Sequence, residues 1–258
     1  MTVNQTNQAF FWLSVLLNAF FLALGVWFIL KRGGLSYLTT RLLLLRKFGI
    51  KNIQGTFFIS PYYYHRKSQL SLLPIYSSDI VFLGDSITDE GEWAELLSHP
   101  AIKNRGISSD TTIDMLDRLS EIVTPQPQKL FLMIGVNDLS NLGRSPTEIT
   151  QTYREILTRI HDLSPQTHVF VQSVLPINSS LFFGQATNSS IRELNSQLQT
   201  LAKEFSCSYI DLLAHFTDAH GQLDAQYTTD GIHLNGVAYQ RWAKLIASHV
   251  LSENSAAV

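Results

Sequence analysis

Aspartate and glutamate are absent from residues 1–78 of this 258-residue chain, which carry eight Lys and Arg instead. Residues 79–258 hold the other 11 Lys and Arg and all 21 Asp and Glu, so their formal charge is −10. Because a nucleic-acid-binding domain presents a basic face, this acidic balance argues against that class of protein. A basic segment ahead of an acidic domain suits contact with anionic lipid headgroups.

Cysteine is almost absent as well, since Cys207 is the only one. The chain therefore forms no internal disulfide and no cysteine-based metal cluster. No group of His, Asp and Glu has metal-ligand spacing, and no phosphate-binding loop or dinucleotide fingerprint is present. We expect no cofactor and no metal, and we interpret Cys207 as a small core residue at the start of a strand.

One long apolar run covers residues 9–30, with Ser14 and Asn18 as its polar interruptions. As a helix it would be about 33 Å long, enough to cross the hydrocarbon core of a bilayer, and Trp12 and Trp27 lie near its ends, where interfacial aromatics are favoured. The first 30 residues contain no Lys or Arg, whereas a cleaved signal peptide begins with a basic region. The run predicts a transmembrane anchor, with a signal peptide or a buried core helix as alternatives.

Basic residues follow this run closely, at Lys31, Arg32, Arg41, Arg46, Lys47 and Lys51. The positive-inside rule then predicts that the domain after this run is cytoplasmic, with an extracytoplasmic domain as the alternative. The predicted organisation is an anchor over 1–31, a basic connecting segment over 32–78 and one domain over 79–252. Residues 35–50 mix Leu with Arg and Lys, and they either lie in the membrane interface or pack on the domain.

From residue 79 onward, short apolar runs alternate with helical patterns. The predicted strands are Ile80–Gly84, Ile102–Gly106, Leu130–Gly135, His168–Val174 and Ser208–Leu212. The predicted helices are Glu92–Ser98, Thr111–Ile122, Pro146–Leu163, Asn188–Phe205 and Val237–Leu251. Because the strands are apolar almost throughout, as in parallel strands buried on both faces, the pattern predicts a three-layer α/β/α domain with a five-stranded parallel sheet.

Two segments of this domain contain residues typical of nucleophilic catalysis. Ser86 follows the first predicted strand in a Gly-Asp-Ser turn, and Asp230 precedes His233 by three residues. A hydroxyl nucleophile needs a base, and the base needs an orienting carboxylate, so these three side chains suit one triad. Ser109 and Asn137 also follow predicted strands, and ligand sites of parallel sheets lie off the carboxyl ends of the strands.

Four separate blocks of this domain resemble the SGNH hydrolases, also called GDSL esterases and lipases. The blocks are Gly84-Asp85-Ser86, Asn104-Arg105-Gly106-Ile107-Ser108-Ser109-Asp110-Thr111, Gly135-Val136-Asn137-Asp138 and Asp230-Gly231-Ile232-His233. The resemblance covers residues 79–250 and is greatest to the branch of platelet-activating-factor acetylhydrolase-like and sugar O-acetyl esterase-like members. It implies an SGNH, flavodoxin-like fold.

The resemblance also implies a role for each residue. Ser86 would be the nucleophile, His233 the general base and then acid, and Asp230 the carboxylate that orients His233. The oxyanion hole would use the backbone N–H of Ser86, the backbone N–H at position 109 and the side chain of Asn137. The family has glycine where this chain has Ser109; the N–H survives that change, but a positive φ there would strain a serine.

The predicted activity is therefore hydrolysis of carboxylic esters through an acyl-enzyme on Ser86. The family implies acetylated sugars, (lyso)phospholipids or other short acyl esters as substrates. Thioester hydrolysis or acyl transfer would use the same residues. A membrane-tethered scaffold with a degenerate site is the alternative from another class of protein. Leu181-Phe182-Phe183-Gly184 could line an acyl site or touch a membrane, and the oligomeric state stays open.

Overall fold

A computed structural model describes residues 3–31 and 61–252 of the chain. The chain divides into two compact units, Met1–Thr56 and Phe57–Val258. The prediction for residues 35–50, and most of the predicted connecting segment, lie outside the described residues. The domain limits expected from the sequence stay predictions.

The first unit contains helix α1, Val3–Lys31. Its Asn18 side chain donates a hydrogen bond of 2.8 Å to the backbone oxygen of Ser14, one turn earlier. Among the helices of residues 3–31 and 61–252, none combines the length and the apolar character that crossing a membrane requires. The expectation of a transmembrane helix within residues 1–31 is therefore not supported.

The second unit is built on a five-stranded parallel sheet in the order β2-β1-β3-β4-β5. The strands are β1 Ile80–Gly84, β2 Ile102–Gly106, β3 Lys129–Met133, β4 His168–Gln172 and β5 Ser208–Ile210. The sequence prediction of five parallel strands is confirmed, and the last three strands end two residues earlier than predicted. Since β1 lies between β2 and β3, the segments that follow these three strands are neighbours.

Helices connect the strands and cover the sheet to give three layers. Those described after residue 60 are α2 Pro61–Leu72, α3 Ser86–Asp89, α4 Trp93–Leu96, α5 Thr112–Val123, α6 Val136–Asn141, α7 Pro146–Leu163, α8 Asn188–Glu204, α9 Leu213–Phe216 and α10 Gly236–Leu251. Helix α7 packs against both α5 and α8, and α10 packs against α4. The five predicted helices are present, with small shifts at their ends.

Local sequence explains where the long helices begin. Helix α7 starts as predicted, with Ser145 as N-cap, Pro146 in the first turn and Glu148 closing a capping box. Thr111 and Thr187 form the equivalent capping boxes of α5 and α8. These caps satisfy backbone N–H groups that have no partner inside the helix.

The core beneath the sheet edge is aromatic. Phe82, Phe131 and Phe170 occupy the same register on β1, β3 and β4 and stack with centroid distances of 4.9 and 4.5 Å. Trp93 stacks on Phe82 at 4.6 Å and meets Trp242 of α10 edge to face. This column joins three strands to α4 and α10.

Candidate active site

The turn after β1 presents Ser86 at the first position of α3. The Asp85 side chain caps this helix by accepting a 3.0 Å hydrogen bond from the Ile87 N–H. Gly84 is required before the turn, because a Cβ there would lie 2.1 Å from Thr88 Oγ1 and 2.4 Å from the Met133 carbonyl oxygen. The short turn therefore holds Ser86 at the carboxyl end of a central strand.

Ser86, His233 and Asp230 form one hydrogen-bonded chain, as the sequence predicts. Ser86 Oγ lies 3.0 Å from His233 Nε2, and His233 Nδ1 lies 2.6 Å from Asp230 Oδ2. The backbone N–H groups of Ile232 and His233 donate to Asp230 Oδ1 at 3.0 and 2.9 Å. Thus both carboxylate oxygens are engaged, one by the imidazole and one by the backbone that carries it.

The electrostatics of Asp230 suit a permanently ionised partner for His233. Partial burial favours the neutral carboxyl, but hydrogen bonds from the His233 ring and from the backbone N–H groups of Ile232 and His233 outweigh it and lower the pKa of Asp230 to about 2. An ionised carboxylate at Nδ1 fixes the tautomer that leaves Nε2 free to accept the Ser86 proton.

The loop that carries Asp230 and His233 is anchored from two directions. Gly231 has a φ of +88°, and a Cβ there would lie 2.6 Å from the Asn178 carbonyl oxygen, so only glycine fits. The Asn178 N–H donates to the Gly231 carbonyl at 2.8 Å. On the other side, the Tyr239 hydroxyl of α10 donates to the Ile87 carbonyl at 2.8 Å, which ties the helix after His233 to the helix that begins at Ser86.

The predicted oxyanion residues lie on the loops after β2 and β3. Asn137, in the first turn of α6, donates from Nδ2 to the Asp110 carbonyl at 3.0 Å and accepts at Oδ1 from Asn141. An amide NH₂ has two donors, so Asn137 keeps one for a ligand. The structure thereby joins Asn137 to the loop of Ser109.

Ser109 adopts the left-handed backbone conformation, with a φ of 70°. Glycine adopts this region readily, whereas a serine there is strained. The residue is exposed, and its hydroxyl forms no hydrogen bond with a described residue.

A family model for GDSL-like lipases and acylhydrolases matches residues 82–241, which include every residue of the predicted site. The chain belongs to this family. No curated protein matched the chain. The match confirms the family resemblance seen in the four sequence blocks.

Solved structures of similar proteins share the fold of this chain. One from Streptococcus pneumonia, provisionally described as a platelet activating factor, has a TM-score of 0.67 and 26% identity, over 82% of this chain and 99% of that one. A GDSL-like lipase from Bacteroides thetaiotaomicron has a TM-score of 0.63 and 22% identity, over 73% and 96% of the two chains. A mutant acetyl-xylooligosaccharide esterase from Geobacillus Stearmophilus has a TM-score of 0.57 and 19% identity, over 70% and 97%.

The family and the hydrogen-bonded site together make this acylhydrolase a carboxylic ester hydrolase. The alternative of a non-catalytic scaffold is therefore not favoured. The serine at position 109, the feature that suggested a degenerate site, still has a backbone N–H, and its φ of 70° is one that glycine adopts readily.

Sequence reasoning missed the buried ion pairs that hold the loops of the acylhydrolase site. Arg118 of α5 donates to Asp110 Oδ2 through Nε at 2.8 Å and Nη2 at 2.5 Å. The same guanidinium donates to the carbonyls of Arg105 and Gly84 at 2.9 and 3.2 Å. It thus fastens the ends of β1 and β2 to the loop of Ser109. The partners lie 8 to 34 residues apart, and no short motif marks them.

A second such pair fixes the loop after β3. Asp138 accepts hydrogen bonds from the Thr112 N–H and hydroxyl at 2.9 and 2.6 Å, and from Arg144 Nη1 at 2.6 Å. Burial raises the pKa of this carboxyl, although these hydrogen bonds and Arg144 oppose the shift. Asp138 is therefore a structural neighbour of Asn137 that joins α5 to α6.

Proposed function

We propose that this acylhydrolase cleaves carboxylic esters through an acyl-enzyme on Ser86. The observation that carries the proposal is the Ser86–His233–Asp230 chain, with contacts of 3.0 and 2.6 Å. In the first step Ser86 Oγ attacks the ester carbonyl carbon while His233 Nε2 accepts the serine proton. The bond from carbonyl carbon to alcohol oxygen then breaks, and His233 returns the proton to the leaving alcohol.

Water completes the cycle in the same geometry. His233 takes a proton from water, the hydroxide oxygen bonds to the acyl carbon, and the bond to Ser86 Oγ breaks as the serine regains its proton. The negative charge on the carbonyl oxygen would be stabilised by the backbone N–H groups of Ser86 and Ser109 and by the second donor of Asn137. Donors held rigidly in this way contribute most when the charge develops.

For the substrate we propose a short acyl ester, such as an acetylated sugar or a (lyso)phospholipid. The relative from Geobacillus Stearmophilus is an acetyl-xylooligosaccharide esterase, and the Streptococcus protein is provisionally described as a platelet activating factor. The loop beside Gly231 carries Leu181 and Phe183, which are 40% and 97% exposed. An apolar loop so close to His233 supports an ester with an apolar part. A thioester, or an alcohol acceptor in place of water, would use the same residues.

We also propose that helix α1 brings the enzyme to a lipid surface. Its side chains Trp12, Leu22 and Leu30 are each more than 60% exposed, and exposed apolar surface of this kind marks a partner or lipid contact. The proposal requires attachment of α1 to the lipid surface and no membrane span.

Full-length protein should sediment with anionic vesicles, whereas a variant without residues 1–31 should stay in the supernatant. Equal sedimentation of the two proteins would contradict the proposal. The predicted cytoplasmic side stays a prediction.

The catalytic proposal is tested with p-nitrophenyl acetate, butyrate and octanoate. Ser86→Ala should lower kcat/KM by about 10⁴-fold or more, because the nucleophile of a triad is lost, and a fluorophosphonate should label the parent enzyme and not the variant. Ser108→Ala is the matched control, since Ser108 follows β2 and its hydroxyl makes no hydrogen bond with a described residue. The chain-length profile identifies the preferred acyl group.

Equal hydrolysis by Ser86→Ala and the parent would refute the assignment of Ser86. Labelling of Ser86 without turnover of any oxygen ester would instead direct the assay to thioesters or to alcohol acceptors.

A further inference from the structure

A cavity of about 240 Å³ lies between α2, the segment that follows it, β2 and α5. None of the triad residues lines it. Its walls are largely apolar and include Leu70, Leu73, Ile107 and Ile122. Three cationic side chains also reach it, from Lys67, Arg105 and Arg118. The cavity therefore combines an apolar wall with a local excess of positive charge.

Arg105 is the unusual member of this group. It is 4% exposed, yet among residues 61–252 no carboxylate lies within ion-pair distance of its guanidinium. Its Nη1 donates to the Asn104 carbonyl at 3.1 Å, and Nη2 donates to the Leu73 carbonyl at 3.1 Å. Its Nε–H donates to no described group. A buried charge normally has a counter-ion. The Arg105 guanidinium donates only to carbonyls, and Asp79, whose charge also acts on it, forms its ion pair with Lys103 at 3.6 Å.

The other charges at the cavity differ from Arg105 because they have partners or face solvent. Arg118 is neutralised by Asp110, and Lys67 pairs with Asp117, whose side chain is 75% exposed. Glu121 also lines the cavity, but it is exposed, so water screens its repulsion of an anion. Of the three cations that line the cavity, Arg105 is therefore the one without an ion-pair partner among the described residues, and an anion beside it would supply one.

We propose that this cavity binds a small anionic amphiphile, with its anionic head on Arg105 and Lys67 and its short apolar chain along Leu70, Leu73 and Ile122. A planar guanidinium with free donors suits a carboxylate head. The apolar wall supplies the second part of the recognition, because it removes the chain from water. The site is separate from the proposed catalytic site and does not depend on the activity assigned there.

Calorimetric titration of the full-length protein with octanoate tests the proposal. We expect saturable binding at one site, at least tenfold tighter than the binding of octanol or of inorganic phosphate, each of which offers only half of the recognition. Ser71→Trp should weaken octanoate binding at least tenfold, because Ser71 lines the cavity and a Trp would fill it. Ser68→Trp is the matched control, since Ser68 is an exposed serine of the same helix that does not line the cavity.

Arg105→Gln provides a second test that leaves the cavity open, with the fold checked by circular dichroism. It should weaken octanoate tenfold and leave octanol unchanged. Three results would overturn the proposal: no octanoate binding to the parent, unchanged binding to Ser71→Trp, which would place the octanoate elsewhere, or equal affinity for octanol.

Discussion

At the scale of single residues, Ser109 shows how far this site departs from its family pattern. A serine with a φ of 70° is about 1 kcal/mol or more less stable than a serine in the right-handed region. Glycine avoids this strain, but it loses more backbone entropy on folding, which cancels part of the gain. Ser109→Gly should therefore raise the free energy of unfolding by roughly 0.5–1 kcal/mol. Its kcat/KM should change by less than about tenfold, since the backbone N–H remains and loss of a donor costs about 10²–10³-fold.

Denaturation with urea and assays on p-nitrophenyl acetate measure the two effects. Ser98→Gly is the matched control, because Ser98 is exposed, has a φ of 50° and lies outside the site. It should gain similar stability with no change in rate. A large rate loss in Ser109→Gly alone would mean that the Ser109 hydroxyl takes part in catalysis.

The pKa of Asp85 is raised, whereas that of Asp230 is lowered. Burial raises the pKa of Asp85 from 3.8 to about 7, and the N–H of Ile87 only partly opposes this. Between these two pH values the folded state holds a proton that the unfolded state has released, so stability falls as the pH rises. Asp85→Asn keeps the helix cap and removes the titration. Relative to the parent, the variant should be about 2.5 kcal/mol more stable at pH 8 than at pH 5.

Urea denaturation at the two pH values measures this difference. Asp224→Asn is the control. Asp224 also accepts a hydrogen bond from a backbone N–H two residues later, that of Gln226. The pKa of Asp224 is lowered by this bond and by a second bond from the Gln226 side chain. Asp224 is ionised in both states at pH 5 and above, so its variant should differ equally from the parent at both pH values. The same constancy in Asp85→Asn would show that Asp85 does not titrate in this range.

At the scale of whole elements, Lys129 joins the central strand to the last helix. Its side chain is buried on β3, and Nζ donates to the carbonyls of His249, Val250 and Ser252 at 2.9, 2.9 and 2.6 Å. It therefore satisfies the carboxyl end of α10. Lys129→Met would leave these acceptors without their donor, and should lower the free energy of unfolding by about 3 kcal/mol.

Thermal and urea unfolding measure this loss. Lys244→Met is the control, because Lys244 is an exposed lysine of α10. This substitution should change the free energy of unfolding by less than about 0.5 kcal/mol. Equal effects of the two variants would show that the Lys129 bonds add no net stability.

The elements predicted from the sequence are those whose pattern is local and repeated. The five strands were predicted because both of their faces are buried, and the long helices because their apolar residues recur with helical spacing. Helices α3, α6 and α9 have four to six residues, too few to show a period. Helix α2 lies in a segment that the sequence suggested only as a connection.

At the scale of the molecule, the candidate site was predicted from short blocks because its three reactive side chains lie in two turns. The groups that hold those turns are distant in sequence: Arg118 reaches Gly84 over 34 residues, and Tyr239 reaches Ile87 over 152. Such contacts depend on packing rather than on any local pattern. For the same reason no sequence pattern indicates that Arg105 is buried without a carboxylate partner.

The bonds from Lys129 to residues 249–252 also determine when during synthesis this domain becomes complete. The middle strand, β3, carries the Lys129 ammonium group. The carbonyl groups that accept its hydrogen bonds belong to residues that are synthesised about 120 residues later. A nascent chain that stops before residue 249 must either bury an unsatisfied ammonium group or leave β3 in water. We therefore expect the sheet to reach its final packing during synthesis only after α10 has left the ribosome.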